Sequence, residues 1–368
     1  MANYDDLKLA VQALSGGKND VLFDDLGYPS IMVIIPKGKI SDVIDGAPQD
    51  THPAFIVNAV EKQQIYISKY QNIIMGGRAY SLPFKDPTNT INFDTAKQNC
   101  EAKGAGWHLM TNAEWAYIAL WCKKNGFMPR GNNNFGSDVS AAWEKGVQTY
   151  FDSAAGKTGR VATGSGPASW AHDNTNTGIF DLNGNVWEWN GGMRLKNGEI
   201  QIIPNNNAAA GVDMSDTSTL WKAILPDGSL VDPGTAGTLK FDNTVAGDAA
   251  QTDHQVGGSL QLDDVVDNPM YTTDPTSNSL YGQKSQTFES LTADTGITVP
   301  TILKALALFP VDTQHGGDYI YIRNYGERLP YRGGSWRYGG YAGVFALSLI
   351  NHRSIAGHSL GFRSAFVA

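Results

Sequence analysis

The most informative segment of the sequence reads Gly178-Ile179-Phe180-Asp181-Leu182-Asn183-Gly184-Asn185-Val186-Trp187-Glu188-Trp189. Gly184 and Asn185 are residue types that accept a positive φ, so they predict a tight turn. Trp187 and Trp189 carry large apolar side chains, and together with Trp336 they are expected to be buried where regular sheet is scarce. The segment therefore predicts a domain in which aromatic packing holds irregular chain.

Three further segments carry motifs: Trp107-His108-Leu109-Met110-Thr111-Asn112-Ala113-Glu114-Trp115, Arg332-Gly333-Gly334-Ser335-Trp336 and Gly361-Phe362-Arg363. Thr111 and Glu114 have the spacing of a capping box, which predicts a helix from Asn112 to about Lys124. An earlier helix, capped by Asp94, is expected to run to Lys103. Arg332 and Arg363 are expected to be buried guanidinium groups that hold the last hairpin.

With these motifs the sequence resembles the formylglycine-generating-enzyme (sulfatase-modifying factor) superfamily over about residues 50–190 and 318–368. The resemblance implies an α+β fold of the C-type lectin type. In such a fold we expect two helices, short antiparallel sheets and much irregular structure.

Catalysis is not expected, because the residues that the enzymes of this superfamily use are missing. The oxygen-dependent enzymes use a C-terminal cysteine pair that binds copper, whereas this chain has only Cys100 and Cys122. Both lie in predicted helices, where two free thiols are favoured over a disulfide. The seven histidines show no ligand spacing on a predicted helix. A metal-dependent oxidase with an unusual site stays open as an alternative.

No cofactor is required by this interpretation, although calcium is possible. The resemblance implies that the carbonyl oxygens of Asn183, Gly184 and Val186 and the carboxylate of Glu188 bind Ca²⁺. Oxygen ligands on a tight turn suit this cation. The alternative is that Glu188 accepts hydrogen bonds from backbone amides without an ion.

The C-terminal segment 332–365 resembles the variable region of proteins diversified by retroelements. Its framework is Arg332-Gly333-Gly334-Ser335-Trp336, Ala342-Gly343-Val344-Phe345-Ala346-Leu347 and Gly361-Phe362-Arg363-Ser364-Ala365. The residues between are of types reachable by changing the first two bases of an Asn codon. The resemblance implies that these residues bind ligand: Arg337, Tyr338, Gly340, Tyr341, Ser348, Ile350, Asn351, His352, Ile355, Ala356, Gly357 and His358.

The predicted function is non-enzymatic recognition of a protein or glycan ligand on a host cell surface. The mixture of Tyr, His, Gly and Ser is typical of antibody paratopes. We expect the variable residues to form one exposed patch beside part of an insertion, with Val344, Phe345 and Phe362 buried beneath them. An ordinary surface hairpin and a calcium-dependent carbohydrate-binding module are the alternatives.

The chain is predicted to have two parts. Residues 1–48, a helix followed by a hairpin, resemble the start of phage virion proteins, which suggests attachment to phage tail proteins. Residues 49–368 form the lectin domain, with an insertion at about 191–300 that has strands near 199–203 and 238–241. A disordered tract is the alternative for the insertion. A short helix is expected at 301–309.

Charge and hydropathy exclude two classes of partner. The formal net charge of −8 repels phosphate backbones and anionic lipid, so neither nucleic acid nor a membrane is an expected partner. The apolar runs are far shorter than the ~20 residues that span a bilayer. The acidic, polar start does not indicate a secretory signal peptide. We therefore expect the protein in a virion, on the phage tail, or at a cell surface.

Overall fold

The computed structural model describes residues 4–247, 255–270 and 282–368. Five α-helices lie in these ranges: α1 (Tyr4–Leu14), α2 (Ile40–Val43), α3 (Phe93–Glu101), α4 (Asn112–Lys124) and α5 (Thr301–Ala305). The two helices expected for the lectin domain are α3 and α4, and α5 adds a short third one. Within the described ranges, no helix has the length and apolar content needed to cross a bilayer.

Twenty-five short strands, all in the described ranges, make up the rest of the regular structure. Up to residue 189 they are β1 (Asn19–Phe23), β2 (Pro29–Pro36), β3 (Ile56–Val57), β4 (Val60–Glu61), β5 (Gln64–Ser68), β6 (Ile73–Met75), β7 (Arg78–Tyr80), β8 (Trp107–Leu109), β9 (Phe151–Asp152), β10 (Lys157–Thr158) and β11 (Trp187–Trp189). The next eight are β12 (Met193–Lys196), β13 (Glu199–Ile202), β14 (Lys222–Ile224), β15 (Leu230–Val231), β16 (Lys240–Asn243), β17 (Leu260–Asp263), β18 (Lys284–Thr287) and β19 (Thr292–Ala293). The last six are β20 (Tyr319–Ile322), β21 (Glu327–Arg328), β22 (Tyr331–Gly333), β23 (Gly343–Leu349), β24 (Leu360–Phe362) and β25 (Ser364–Phe366).

The first sheet joins the two ends of the chain. Its strand order is β1-β2-β5-β25-β8, and every neighbouring pair is antiparallel. The C-terminal strand β25 thus lies between β5 and β8. The β1–β2 hairpin continues the same sheet because β2 pairs with β5, so residues 1–48 are joined to the rest by strand pairing. A domain boundary at residue 48 stays a prediction.

The second sheet carries the C-terminal segment. Its strand order is β18-β20-β23-β22-β11-β24, and two of its pairs, β20–β23 and β11–β24, are parallel. The other three pairs of this sheet are antiparallel, as expected, so the expectation of antiparallel sheets holds for this layer only in part. Parallel strands need a long crossover connection, and the insertion and the chain between β20 and β23 supply such connections.

The third sheet is built mainly from the predicted insertion. Strands β15-β14-β13-β16-β17-β19 follow one another, with β12 and β21 attached through β13 and β12. The strands expected near 199–203 and 238–241 correspond to β13 and β16. Ile200, Phe241 and Leu262 are fully buried and belong to the same apolar cluster as Ile118 of α4 and Phe345 of β23, so this sheet packs on the main core. Residues 248–254 and 271–281 of the insertion lie outside the described residues. The pairs β3–β4, β6–β7 and β9–β10 form separate two-stranded sheets.

The beginnings of α3 and α4 follow local sequence signals. The Thr111 hydroxyl accepts a hydrogen bond from the Glu114 backbone N–H at 3.2 Å, and Glu114 Oε2 accepts one from the Thr111 N–H at 2.9 Å, which confirms the capping box. For α3 the cap is Asn92, whose Oδ1 accepts from the Thr95 N–H at 2.8 Å. The prediction that Asp94 is the cap is therefore wrong by two residues, and the helix ends at Glu101.

Aromatic packing holds the irregular chain, as expected. Trp187 is 3% exposed, and Trp189 and Trp336 are fully buried. Gly184 and Asn185 have φ values of 80° and 60°, which confirms the tight turn predicted at these two residues. The Trp115 indole N–H donates to the Val344 carbonyl oxygen at 2.7 Å and thereby ties α4 to β23.

Candidate ligand-binding surface

The framework of the C-terminal segment is a buried hairpin made by β22 and β23. Val344 is 1% exposed, Phe345 and Phe362 are fully buried, and all seven residues of β23 are buried, as predicted for the framework positions. Gly334 has a φ of 86°, and a Cβ there would collide with Ala342, so the turn requires glycine. The Phe345 N–H donates at 2.7 Å to the buried Asp318 carboxyl, whose pKa burial raises well above its ordinary value.

The first variable stretch, 337–341, lines an open cleft of about 630 Å³. Arg337, Gly340 and Tyr341 are exposed, and Tyr338 is half-buried. The Tyr338 ring lies edge-on to Trp187, with ring centroids 5.1 Å apart. Variable side chains therefore stand on buried tryptophan and reach solvent above it.

Residues outside the predicted variable stretches form the other side of this cleft. They are Ser285 of β18 and Tyr319 and Tyr321 of β20. The Tyr319 and Tyr341 ring centroids are 4.0 Å apart, and those of Tyr321 and Tyr338 are 6.0 Å apart. Sequence reasoning missed these tyrosines. The alternation of Tyr319 and Tyr321 with buried Ile320 and Ile322 is the signal that could have found them.

Charge in the cleft is confined to one side chain. Among its eight lining residues, Arg337 is the only Lys, Arg, Asp or Glu. Burial raises the pKa of Tyr321 well above its ordinary value, so its hydroxyl stays neutral at physiological pH. The cleft thus presents aromatic faces, hydroxyl groups and one cation.

The second variable stretch lies against the same aromatic layer but does not line the cleft. Ile350 and Ile355 pack on the apolar cluster that also includes Trp187 and supports Tyr338. Asn351 donates through Nδ2 to the Tyr331 hydroxyl at 2.8 Å, and the Tyr331 ring is 5.0 Å from that of Trp187. The half-buried variable residues are Ile350, Asn351, His352, Ile355 and Gly357, and the exposed ones are Ala356 and His358.

Two of these residues contact partners outside the variable stretches. Burial, followed by the nearby Arg328 guanidinium, lowers the pKa of His352 below its ordinary value. The His358 ring is 5.4 Å from that of Trp336, and its carbonyl oxygen accepts from Arg160 at 2.9 Å. The exposed ring of His358 therefore lies beside the tryptophan that precedes Arg337.

Ser348 does not belong to the exposed surface. It is 1% exposed and lies within β23, opposite Tyr331 of β22 and Tyr321 of β20. The two-residue period of a strand places alternate residues in solvent only when one face is open. Here β23 is central and covered on both faces, so the expectation for Ser348 is wrong.

Arg353 anchors the second variable stretch and was not singled out from the sequence. Its guanidinium donates to the Glu327 carboxylate at 2.8 and 2.9 Å, to Asp94 Oδ1 at 2.8 Å and to the Met214 carbonyl oxygen at 3.0 Å. These bonds tie the loop to α3 and to the insertion. No local pattern marks an arginine for such a role, because its partners are far apart in sequence.

Part of the insertion lies beside the variable residues, as expected. Ser285 lines the cleft, and the Met214 carbonyl holds Arg353. Ser285 thus lies beside residues 337–341, whereas Arg353 is not one of the twelve predicted positions, and the insertion at 191–300 stays a prediction.

The predicted calcium site is occupied by hydrogen-bond donors of the protein itself. Arg363 donates to both oxygens of the Glu188 carboxylate at 2.6 Å, and Gln71 Nε2 donates to Glu188 Oε1 at 3.0 Å. The same Gln71 amide reaches the carbonyl oxygens of Val186 at 3.0 Å and of Gly184 at 3.5 Å. A cation at these oxygens would face a guanidinium and an amide N–H group. Because donors of the protein already bind the Glu188, Val186 and Gly184 oxygens, these residues do not fit Ca²⁺.

Part of the chain that carries these motif residues is similar to a known protein family. Residues 54–202 match the FGE-sulfatase family, described as the sulfatase-modifying factor enzyme 1-like domain. The match covers less than half of the chain and includes the turn, α3 and α4. No curated protein sequence matches the chain.

Solved structures similar to the chain have low identity. One is "Structure of PvdO from Pseudomonas aeruginosa", which is 14% identical over 95% of this chain and 98% of that chain, with a TM-score of 0.32. Another is "Treponema denticola variable protein 1", which is 13% identical over 95% of this chain and 98% of that chain, with a TM-score of 0.33. A third is "Major Tropism Determinant U1 Variant", which is 10% identical over 91% of this chain and 62% of that chain, with a TM-score of 0.29. The chain is thus similar in part to the sulfatase-modifying factor family, and its similarity to these three solved structures is low. At these TM-scores the structures say nothing further about function.

The cysteines of this sulfatase-modifying factor-like chain are both free and buried. Burial raises the pKa of each thiol well above its ordinary value, which disfavours the reactive thiolate. Among the described residues, His, Cys, Asp and Glu side chains form no group of three that could hold a metal ion.

Proposed function

We propose that the chain is a non-enzymatic ligand-binding protein whose C-terminal residues are diversified by a retroelement and displayed on a C-type lectin scaffold. One observation carries the proposal: four of the predicted variable residues, Arg337, Tyr338, Gly340 and Tyr341, line an open cleft, while the framework residues that follow them are buried. Such an arrangement lets side chains change without changing the backbone that carries them. A rigid backbone also limits the entropy lost on binding.

The proposed ligand is a protein or glycan on a host cell surface. Tyr338, Tyr341, Tyr319 and Tyr321 offer rigid aromatic surface with hydroxyl groups at its edge, which suits both sugar rings and protein side chains. Arg337 adds a cation that can pair with a carboxylate. Neither chemistry requires a metal or a catalytic group.

Attachment of the protein to a phage tail is proposed to involve α1. Three leucines of this helix are unusually exposed for their type: Leu7 at 41%, Leu9 at 62% and Leu14 at 88%. Exposed apolar side chains grouped on one short helix favour a partner surface. This supports a virion location, with the variable cleft facing the host.

A survey of natural gene copies tests the proposal directly. If a retroelement diversifies the gene, substitutions among closely related copies will be concentrated at the codons of the twelve variable positions. Codons of the buried framework, such as Val344 and Phe345, will be unchanged and serve as the internal control. Identical copies, or substitutions spread evenly over the last strands, would overturn the proposal.

A library measurement tests the tolerance that the proposal requires. Randomising Arg337, Gly340 and Tyr341 should leave most displayed variants resistant to protease, because these side chains are exposed. Randomising Val344, Phe345 and Leu347 should leave few. Equal survival of the two libraries would contradict the idea of a tolerant surface on a fixed framework.

A further inference from the structure

A second cavity lies away from the variable cleft, between β2, α4 and the loop at residues 172–177. Its volume is about 400 Å³, which falls within the range of small-molecule sites in proteins. Apolar side chains form most of its wall, among them Ile34, Ile35, Ile118 and Trp121. None of its lining residues belongs to the variable segment.

One buried polar side chain, His172, lines this cavity and has one ring nitrogen with no hydrogen-bond partner among the described residues. His172 is 7% exposed, and its Nδ1 accepts a hydrogen bond from the Ile179 backbone N–H at 2.9 Å. A neutral imidazole whose Nδ1 is an acceptor carries its proton on Nε2. Burial lowers the pKa of His172 well below its ordinary value, so the neutral form prevails. Among the described residues, nothing accepts a hydrogen bond from Nε2.

The charged groups near the cavity are already engaged. Asp173 Oδ1 accepts from the Thr175 N–H at 3.1 Å and from its hydroxyl at 2.8 Å, and Asp173 Oδ2 is 3.8 Å from the Lys18 ammonium. The cavity therefore offers the Nε2–H donor of His172 beside mostly apolar side chains, with Tyr117 also among the lining residues. A ligand that accepts from Nε2 keeps a hydrogen bond there while it buries apolar surface, whereas an apolar ligand of the same shape leaves Nε2 without an acceptor.

We infer that this cavity binds a small uncharged molecule that has an aromatic or branched aliphatic body and one carbonyl or hydroxyl oxygen, which accepts the hydrogen bond of His172. The apolar body fills the space beside Ile34 and Trp121. The Trp121 ring, 5.3 Å from that of His172, forms one wall of the site. This binding site is separate from the proposed recognition of a surface ligand, and either can exist without the other.

The test compares two probes of nearly equal shape, acetophenone and isopropylbenzene, of which only the first has an acceptor. Acetophenone is expected to shift the His172 Nε2–H resonance in spectra of ¹⁵N-histidine-labelled protein. It should bind roughly 3–10 times more tightly than isopropylbenzene, the ratio expected for one net hydrogen bond. Failure of acetophenone to bind, or equal affinity for the two probes, would overturn the inference.

Variants locate the binding. Ile34→Trp should fill the cavity and abolish binding of acetophenone, whereas the matched change Ile73→Trp on β6, outside the cavity, should leave it intact. If Ile34→Trp fails to fold, Thr175→Trp at the cavity mouth takes its place. Acetophenone bound with unchanged affinity by the filled variant would refute the site. Tyr341→Ala, which alters the variable cleft, should not change this affinity.

Discussion

Replacement of Trp187 by alanine gives the sharpest test of how the scaffold supports the variable surface. Trp187 lies in β11, is 3% exposed, and touches three tyrosine rings edge-on: Tyr331 at 5.0 Å, Tyr338 at 5.1 Å and Tyr321 at 6.0 Å. Its side chain thus connects the core to two residues that line the cleft, Tyr321 and the predicted variable residue Tyr338. Its loss should affect stability and binding together.

The expected loss of stability follows from the buried area and the ring contacts. A buried tryptophan removes on the order of 200 Å² from water, worth about 5 kcal/mol at roughly 25 cal/mol/Å². Each edge-to-face pair adds about 0.5–1.5 kcal/mol. Because the site relaxes in part and the unfolded chain also buries some surface, we expect Trp187→Ala to lower the free energy of unfolding by about 3–5 kcal/mol.

The assay is urea unfolding followed by circular dichroism, with Trp143→Ala as the control. Trp143 is 79% exposed, so its removal should change the free energy of unfolding by less than about 0.5 kcal/mol. A loss below about 1 kcal/mol for Trp187→Ala, or equal losses for both variants, would show that Trp187 is not a core residue.

Three further predictions concern the interior. Arg363→Met should lower the free energy of unfolding in urea by about 3–5 kcal/mol, because it leaves the Glu188 carboxylate buried without its guanidinium partner. Adding Glu188→Gln should restore part of that loss. If the double variant is no more stable than Arg363→Met, the ion pair does not have this role. Addition of calcium or of EDTA should leave the melting temperature unchanged. A bound ion at a free concentration 100 times its Kd would instead raise the free energy of unfolding by about 2.7 kcal/mol. Burial lowers the pKa of His52 to about 4, so the unfolded chain takes up a proton between pH 7 and pH 5 that the folded chain does not. Wild type should therefore lose about 2 kcal/mol relative to His52→Gln over that interval, and parallel pH curves for the two proteins would refute this.

Features fixed by neighbours in sequence could be predicted, and features fixed by distant contacts could not. The α4 helix was predicted from Asn112 to Lys124 because the Thr111–Glu114 capping box acts within four residues. The turn at Gly184 and the burial of Trp187 follow from the intrinsic properties of those residues. The direction of β24 beside β11 depends on chain that connects them through the whole insertion, so no local pattern reveals it.

The binding surface shows the same division. Exposure of Arg337 and Tyr341 was predictable from the framework motifs around them. Burial of Ser348 depends on β20 and β22 flanking β23, and the role of Arg353 depends on Glu327, which is 26 residues away in sequence. Both facts require knowledge of which strands and loops become neighbours.

The position of β25 has a consequence for the folding of any protein copy that the proposed diversification produces. This strand follows the last variable codon and lies between β5 and β8, where Phe366 packs against Trp107 with ring centroids 5.2 Å apart. In the proposed diversification, a frameshift introduced while the codons are rewritten would replace β25 and open the sheet that joins both ends of the chain. Such copies would then fail to fold, so an intact reading frame past His358 becomes a condition for presenting the proposed variable residues on a folded protein.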